Sequence, residues 1–408
     1  MRCCRDVRTA RIFVKAEETF DALIVGAGPA GSFAAEKLAR GGARVALFDG
    51  RPAGEAKACG GGVTSKALKA WPFLLEAGGR AVTEVEMLSP SGGRVRLELA
   101  EPFAIYSRRA LDSYMTERAR RAGARVFECR VTASTERDER GRWVVRAKNG
   151  ESWAGGVLVA ADGANSAIAK RLAGALPNSE MEVAFGYRTP LDEADEAPTV
   201  IAFLPGWAGY AWAFPRLDHI SFGIATSQDE FNHRALDNLL WKFMVSYYRL
   251  TEYTKTGDGK IEERLRAIAK RYAARIPKLT PKMWDKRQTV GENWALLGDA
   301  AGFADPITGE GIYYALRSAE LLAKAYLHGQ LTNYNGMWRD DFGCELRRAA
   351  SIRYRFYSNF LGGLFTERMI KFAHLHPGIQ SVLQELVTGE QSYIKLKHKL
   401  ICRAVWPF

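Results

Sequence analysis

Hydrophobic and polar positions follow a regular succession from Asp21 onward. The segment DALIV is apolar enough for a buried strand, a glycine-rich turn follows it, and SFAAEKLAR is typical of a helix. Gly41 and Gly42 predict the end of that helix, and ARVALFD predicts a second strand. The pattern therefore predicts a βαβ unit near the start of the chain.

Alternating patterns further along the chain predict antiparallel strands. Residues 82–99 and 143–158 each have a hairpin pattern around a turn, and residues 181–226 are rich in aromatic and β-branched residues. Between the hairpins, residues 108–122 have helical spacing and lead into the strand RVFECRV, which ends at Val131. The last part of the chain is mainly helical in pattern.

This order predicts an α/β (α+β) fold in which two lobes are interleaved, because the βαβ unit comes first, sheet-rich segments interrupt it, and a second glycine-rich element appears near Gly298. We expect a Rossmann-like cofactor-binding lobe at 20–80, 105–180 and 285–330, an antiparallel-sheet substrate lobe at 81–104 and 181–284, a C-terminal helical region at 331–408, and an N-terminal tail at 1–19.

Composition supports a globular protein, since 47% of the residues are hydrophobic and 25% are charged. We find neither an apolar run of the roughly 18 residues that span a membrane nor the apolar core of a signal peptide, which predicts a cytoplasmic protein. Six scattered cysteines lack CxxC spacing, so reduced thiols and no metal site are expected. The net charge of +12 favours anionic partners and by itself leaves nucleic acid, lipid headgroups and phosphorylated substrates open.

The strongest chemical signal is GAGPAG at residues 26–31. It follows an apolar strand and opens a helix, which is the context that a dinucleotide fingerprint requires. Gly26 would permit the tight turn, Gly28 would let the backbone approach a pyrophosphate, and Gly31 would allow close helix–strand packing, with Ala30 in the same loop. Asp49 ends the second strand, where an acid accepts hydrogen bonds from ribose. A plain glycine turn is the alternative, and the fingerprint alone does not separate FAD from NAD.

Two later segments resemble motifs of the p-hydroxybenzoate hydroxylase superfamily of FAD enzymes. Residues 294–316 resemble its second FAD motif, which implies that Asp299 contacts the ribityl chain or pyrophosphate and that Gly311 and Ile312 approach the pyrimidine side of the flavin. Residues 158–172 resemble its Asp-Gly motif at Asp162, and the same resemblance implies that Val131 lies near the adenine. A helix cap and two ordinary turns are the alternatives.

Within that superfamily the chain resembles the geranylgeranyl reductase family. ACGGG near Cys59 resembles the family's cysteine-glycine segment, which implies that Cys59, Gly60 and Gly62 lie beside the flavin. The Arg-x-x-Leu-Asp sequence at Arg108 resembles a family helix, with Leu111 in place of Phe, and implies that Arg108 reaches FAD. The resemblance also covers the C-terminal helical segment and the family's Tyr-x-Trp-x-Phe-Pro signature, whose matching residues imply a substrate site: Tyr210, Trp212, Phe214 and Pro215.

Each of these features has an ordinary structural alternative. Cys59 could be a small buried residue rather than a catalytic one, and Tyr210, Trp212 and Phe214 alternate as core strand residues also do. The basic C-terminal stretch could be a solvated helix face or a surface that contacts an anionic membrane.

The resemblance implies an FAD-dependent reductase that saturates C=C bonds of an apolar isoprenoid. Its reductant would be NAD(P)H or ferredoxin, the membrane contact would be peripheral, and no nucleic-acid partner is expected. An aromatic or quinone monooxygenase of the same fold is the main alternative. A flavin-dependent halogenase, or a flavin- or lipid-binding protein without turnover, ranks lower.

Overall fold

The computed structural model describes residues 18–51, 58–132, 136–191, 197–227, 232–251, 257–357, 359–360 and 363–405. Most of the predicted tail at 1–19, together with residues 52–57 between Arg51 and Cys59, therefore lies outside the described residues.

Eighteen strands and fourteen α-helices are found among the described residues. The strands are β1 (Glu18–Val25), β2 (Val45–Phe48), β3 (Gly62–Val63), β4 (Arg80–Leu88), β5 (Arg94–Ile105), β6 (Arg125–Phe127), β7 (Glu136–Arg137), β8 (Trp143–Arg146), β9 (Ser152–Ala160), β10 (Met181–Pro190), β11 (Val200–Phe203), β12 (Gly209–Pro215), β13 (His219–Ser227), β14 (Lys270–Pro277), β15 (Val290–Gly291), β16 (Trp294–Leu296), β17 (Asn359–Phe360) and β18 (Gly363–Leu364). The helices are α1 (Pro29–Arg40), α2 (Ser65–Ala70), α3 (Arg108–Arg121), α4 (Ala167–Ala173), α5 (His233–Thr251), α6 (Asp258–Ile268), α7 (Pro281–Lys286), α8 (Gly298–Ala301), α9 (Ile312–Leu327), α10 (Tyr334–Trp338), α11 (Cys344–Tyr357), α12 (Phe365–Ala373), α13 (Pro377–Thr388) and α14 (Leu396–Val405).

The first sheet has the order β15-β16-β9-β1-β2-β6, and its central pairs are parallel. β9 also pairs with β8, which continues to β7, so the predicted hairpin at 143–158 is confirmed. The βαβ unit is confirmed as β1-α1-β2. Pro29 suits the first helical position because its missing N–H needs no partner there, and α1 ends at Gly41 as expected.

The second sheet has the order β14-β10-β13-β12-β11-β4-β5-β3. Its pairs are antiparallel except for β11 with β4, which the sequence did not indicate. The mixed α/β class is thus confirmed, with a parallel nucleotide-binding sheet and a largely antiparallel second sheet. The lobe boundaries stay a prediction; β3, inside the range 20–80, pairs with β5 of the second sheet.

One predicted strand is shorter than expected. β6 ends at Phe127 rather than at Val131, because its partner β2 ends at Phe48 and the last ladder bond runs from the Asp49 N–H to the Phe127 carbonyl. Val131 instead forms an isolated bridge with Ala147. It therefore lies beside the strand pair at the edge of the first sheet.

The two sheets have separate hydrophobic cores. The larger core packs α1, α3 and α9 against the parallel sheet, and a second core joins β4 and β5 to the C-terminal helices. A third packs α5 and α6 against the second sheet. No helix in the described part of the chain is long and apolar enough to span a lipid bilayer.

Candidate active site

A deep cleft lies between the glycine loop of the first sheet and the exposed face of the second. It encloses about 1700 Å³ of space when its open mouth is included. The cleft wall contains twelve of the predicted site residues: Gly28, Ala30, Cys59, Gly60, Gly62, Arg108, Tyr210, Trp212, Phe214, Asp299, Gly311 and Ile312. Six others lie outside the wall: Gly26, Gly31, Asp49, Val131, Asp162 and Pro215.

The glycine loop has the geometry of a phosphate cradle. A side chain at Gly31 would place its Cβ 1.9 Å from the Gly26 carbonyl oxygen, and one at Gly26, where φ is +106°, would meet the Ala161 carbonyl at 2.3 Å. The third glycine differs, because a Cβ at Gly28 would meet only an Arg108 nitrogen at 3.9 Å. α1 begins there without a side-chain cap, so its first N–H groups face the open space.

The Asp-Gly motif packs directly behind this loop. Asp162 follows β9, and the Ala161 N–H donates to the carbonyl of Val25 at 2.8 Å. Burial raises the pKa of Asp162, and its Oδ1 is a buried acceptor without a partner among the described residues. An unpaired buried acceptor is costly unless a ligand or water donates to it.

Four charged side chains connect the end of β2 to α3. Arg51 pairs with Asp49 at 3.1 Å and with Asp112 at 2.5 Å, and it also donates to the Ala27 carbonyl at 3.3 Å. Arg108 donates three bonds to the same Asp112 carboxylate, at 2.9 and 3.1 Å from Nη2 and at 3.1 Å from Nε. Asp112 is therefore the shared anion that holds both guanidinium groups beside the glycine loop.

Arg216 holds the loop that carries Cys59. Its guanidinium donates to the carbonyls of Cys59 at 2.6 Å and Gly60 at 3.0 Å, and it is almost completely buried. Arg108 forms a hydrogen bond with the Cys59 side chain. Burial lowers the pKa of the Arg108 guanidinium, but Asp112 and Cys59 together hold that pKa above its usual value. Arg216 therefore anchors the backbone of this loop, and Arg108 binds the Cys59 side chain.

The second glycine-rich element forms the opposite wall. Asp299 lies in the first turn of α8, and a Cβ at Gly311 would lie 3.1 Å from its Oδ1. Gly311 is the N-cap of α9 and has no side chain to cap it, and the Tyr313 N–H in the first turn donates to the Glu310 carboxyl group. Asp305 braces the intervening turn by accepting from the N–H groups of Ile307 and Thr308 at 2.8 and 3.0 Å.

The aromatic residues of β12 form one continuous face. The rings of Tyr210 and Trp212 are 5.8 Å apart, those of Trp212 and Phe214 are 6.3 Å apart, and all three line the cleft. The intervening Ala211 and Ala213 belong to the core on the other side of the sheet. Trp212 is itself buried in a small core cluster with Tyr272, and Tyr210 and Phe214 pack against that cluster. The face is thus both packed and part of the cleft wall, and its role in substrate binding stays a prediction.

Pro215 does not lie on the cleft-facing side of β12. It is buried at the end of β12, where it pairs with Ile220 of β13, and it does not line the cleft. The alternation of strand side chains explains the difference, because Pro215 follows Phe214 and so lies on the other face of the sheet.

An apolar arm extends the cleft beyond this aromatic face. Its wall comes from β4, β5, β11, α11 and α13 and contains Met87, Phe103, Ile201, Phe203, Phe356 and Leu386. The arm thus runs between the second sheet and the C-terminal helices.

Comparison with known proteins agrees with this geometry. Residues 19–329 match the family model for the FAD binding domain. The geranylgeranyl diphosphate reductase of Rhodobacter capsulatus is 32% identical over 329 residues, which cover 75% of this chain and 74% of that protein. The chain belongs to the geranylgeranyl reductase family of FAD-binding oxidoreductases. A digeranylgeranylglycerophospholipid reductase of Methanothermobacter thermautotrophicus is 28% identical over 82% of this chain and 85% of its own.

A solved structure shows the same fold. A geranylgeranyl bacteriochlorophyll reductase-like protein from Thermoplasma acidophilum superposes with a TM-score of 0.71 at 21% identity and covers 94% of this chain and 99% of its own. As a member of the geranylgeranyl reductase family, the protein is an FAD-dependent oxidoreductase. Its residues fit that cofactor, since the open backbone at Gly28 and the uncapped start of α1 line the cleft where a pyrophosphate can accept from their N–H groups.

Sequence reasoning missed several residues of the geranylgeranyl reductase site. Arg51 follows the predicted ribose acid by two positions and Arg216 follows the aromatic signature directly, so proximity to a motif was the available signal. Thr64 and Glu310 meet across the cleft although they are 246 positions apart, with the Thr64 hydroxyl donating to Glu310 at 2.7 Å. The one sequence feature that could have indicated Glu310 as a site residue is its position between Gly309 and Gly311.

Proposed function

We propose that the protein saturates isolated C=C bonds of a geranylgeranyl-type isoprenoid, using FAD held by the glycine loop and by the α8–α9 element. The apolar arm carries this proposal, because its aromatic opening and the turn at 305–311, within the second cofactor motif, line one cleft. A long hydrocarbon chain suits such an arm, whereas a small polar aromatic substrate would leave most of it unfilled.

In this proposal the cofactor is held along its whole length. The N–H groups at Gly28 and α1 would bind the pyrophosphate, with Asp162 behind that loop. Asp49 would accept from ribose, Val131 would lie near the adenine, and Asp299 would bind the ribityl chain. Gly311 and Ile312 offer N–H groups at the start of α9 to the flavin ring. When bound, FAD supplies the hydride equivalent that reduces the double bond.

The protein's own side chains orient the alkene and exclude water. An isolated prenyl double bond has no carbonyl to stabilise negative charge, so its reduction develops positive charge on carbon. The faces of Tyr210 and Trp212 stabilise such a charge through their ring quadrupoles. Cys59 lines the same cleft, and Arg216 keeps its loop in place.

The C-terminal helices support a peripheral contact with an anionic membrane. Five large apolar side chains in this region are at least 44% exposed: Tyr354, Phe372, Leu375, Ile394 and Ile401. Lys371, Lys395 and Lys397 are exposed among them, and basic residues next to apolar ones favour anionic lipid surfaces. α13, whose Leu386 lines the apolar arm, packs against both α12 and α14. A lipid-borne substrate could therefore enter the arm from that surface.

The experiment is anaerobic flavin reoxidation. The purified holoenzyme is reduced with dithionite, and geranylgeranyl diphosphate or an unsaturated archaeal-type lipid is added without oxygen. We expect the flavin spectrum to return to the oxidised form; NADPH and reduced ferredoxin are then compared as reductants for turnover. Flavin that stays reduced until oxygen is admitted, with NADPH oxidation stimulated by an aromatic compound, would support a monooxygenase instead.

A further inference from the structure

We propose that Glu310 is the acid that donates the proton to the substrate double bond, an inference that rests on the proposed function. Saturation of the bond requires a hydride equivalent at one carbon and a proton at the other. The new C–H bond forms as the O–H bond of the Glu310 carboxyl group breaks. Glu310 is left as a carboxylate and regains its proton from solvent when product leaves.

The position of Glu310 fits this role. It lies in the turn between the two cofactor-side glycines, Gly309 and Gly311, and lines the same cleft as the aromatic face of β12. Tyr210 closes the space next to it, since a Cβ at Gly309 would lie 3.4 Å from the Tyr210 hydroxyl. The carboxyl group is therefore beside both the cofactor motif and the proposed alkene site.

The tyrosine hydroxyls of the described cleft wall already donate to backbone carbonyls. The hydroxyl of Tyr210 donates to the Thr308 carbonyl, that of Tyr357 to the Ile307 carbonyl at 2.7 Å, and that of Tyr272 to the Phe222 carbonyl at 2.9 Å. The Thr64 hydroxyl donates to Glu310 itself. Guanidinium groups do not release their protons in proteins.

The two remaining acids of the wall are less suited. The Cys59 sulfur accepts from the Gly61 N–H at 3.3 Å and from Arg108, so its contacts place it as an acceptor rather than a donor. Asp299 also lines the cleft, but the proposed function assigns it to the ribityl chain of the cofactor.

The surroundings of Glu310 favour its protonated form near neutral pH. Burial and the neighbouring Asp305 raise the pKa of Glu310 to about 7, although the Thr64 bond and Lys66 oppose the rise. An acid with a pKa near the working pH gives efficient general acid catalysis. The ionisable groups that face it from the packed elements are Lys66, Tyr210, Asp305, Tyr313 and Tyr314.

The test compares Glu310→Gln with a matched surface variant, Glu390→Gln, in the holoenzyme. Glu390 is exposed and pairs with Lys69 away from the cleft. In anaerobic single turnovers with geranylgeranyl diphosphate we expect E310Q to slow flavin reoxidation by about 10²-fold or more, the usual contribution of general acid catalysis. The wild-type and E390Q rates should fall as the pH rises through about 7, whereas the residual E310Q rate should not follow that titration.

A second readout does not depend on turnover. Infrared difference spectroscopy of the protein between pH 5 and 9 should show a protonated carboxyl band that titrates near neutrality, is absent in E310Q and persists in E390Q. Thr64→Val, which removes the bond to the carboxylate, should move this midpoint to higher pH, and Thr64→Ser should restore it. These two variants keep the test valid if E310Q binds FAD poorly.

The outcomes separate the two proposals. If wild-type enzyme reduces the isoprenoid and E310Q does so at the same rate with the same pH profile, Glu310 is not the proton donor. Absence of the neutral-pH carboxyl band, or an unchanged midpoint in T64V, contradicts the role independently. A wild-type enzyme that reduces no isoprenoid while the band is present overturns the reductase function and this role with it.

Discussion

At the residue scale, Gly31 shows how completely the cofactor loop depends on the absence of a side chain. A methyl group there would approach the Gly26 carbonyl to 1.9 Å, so the loop and α1 must separate. We predict that Gly31→Ala lowers FAD affinity by at least about tenfold and destabilises the fold by about 1–3 kcal/mol, the usual cost of overpacking. Equilibrium dialysis of FAD and thermal unfolding measure both effects.

Gly336→Ala is the matched control, because a Cβ at that position in α10 meets nothing within 4 Å. It should leave FAD binding unchanged and be neutral or slightly stabilising. Equal FAD affinity in G31A and G336A would mean that the loop does not hold the cofactor.

Cys59 provides a second prediction at this scale. We expect Cys59→Ala to retain FAD, because backbone carbonyls rather than the thiol anchor the loop to Arg216, and to slow anaerobic flavin reoxidation by isoprenoid about tenfold. Stopped-flow absorbance gives the rate and the bound flavin together. Full activity in C59A would remove Cys59 from the catalytic mechanism.

Glu310 also predicts how folding stability depends on pH. A carboxyl group whose pKa rises from 4.5 to about 7 on folding stabilises the fold fully below pH 4.5, and this contribution is lost as the pH rises through about 7. The loss is at most about 3 kcal/mol. The thermal unfolding midpoint of E310Q, measured relative to that of the wild type, should therefore rise between pH 5 and pH 8. The midpoint of E390Q relative to the wild type should stay constant over the same range. A constant difference for E310Q would contradict a raised pKa.

At the element scale, the sequence was informative wherever a pattern is local. The helix α3, the hairpin β8–β9 and the unit β1-α1-β2 were all predicted, since periodicity and turn residues define them within a short stretch. Strand order is different, because the parallel pair β11–β4 joins segments far apart in the chain. The early end of β6 also depends on a distant segment, because β6 can extend only as far as its partner strand β2.

The same distinction applies to the site. Motif residues such as Gly28 and Asp299 could be identified from the sequence, and the structure places both in one cleft. The Thr64–Glu310 bond and the grip of Arg216 on Cys59 join segments that are far apart along the chain, so local patterns could not indicate them.

The strand β11 allows a test of the apolar arm. Ile201 lines the arm and is only partly buried, so Ile201→Trp should narrow it with little effect on the cofactor end. We expect KM for geranylgeranyl diphosphate to rise at least about tenfold relative to that for geranyl diphosphate, in line with a steric loss of roughly 1.4 kcal/mol or more. Ile201→Val is the control and should leave the ratio near the wild-type value. An unchanged ratio in I201W would mean that the substrate does not occupy the arm.

At the scale of the whole molecule, the C-terminal helices connect the arm to a basic, partly apolar surface. We predict that the protein sediments with vesicles containing anionic lipid, less with zwitterionic ones, and that added salt weakens the binding. Leu375→Asp should reduce the bound fraction, since Leu375 is 69% exposed. Leu75→Asp, at an exposed leucine outside these helices, should not. Equal loss in both variants would argue against a specific membrane-facing surface.

The most direct test of the reductase function is the mass of the product. Pre-reduced holoenzyme is incubated without oxygen with geranylgeranyl diphosphate, and the isoprenoid is analysed by mass spectrometry beside the Cys59→Ala and Glu310→Gln enzymes. The proposed function predicts masses that increase by whole pairs of hydrogen atoms, in proportion to the flavin reoxidised. An unchanged isoprenoid mass, or oxygen incorporated into a product only after air is admitted, would contradict it.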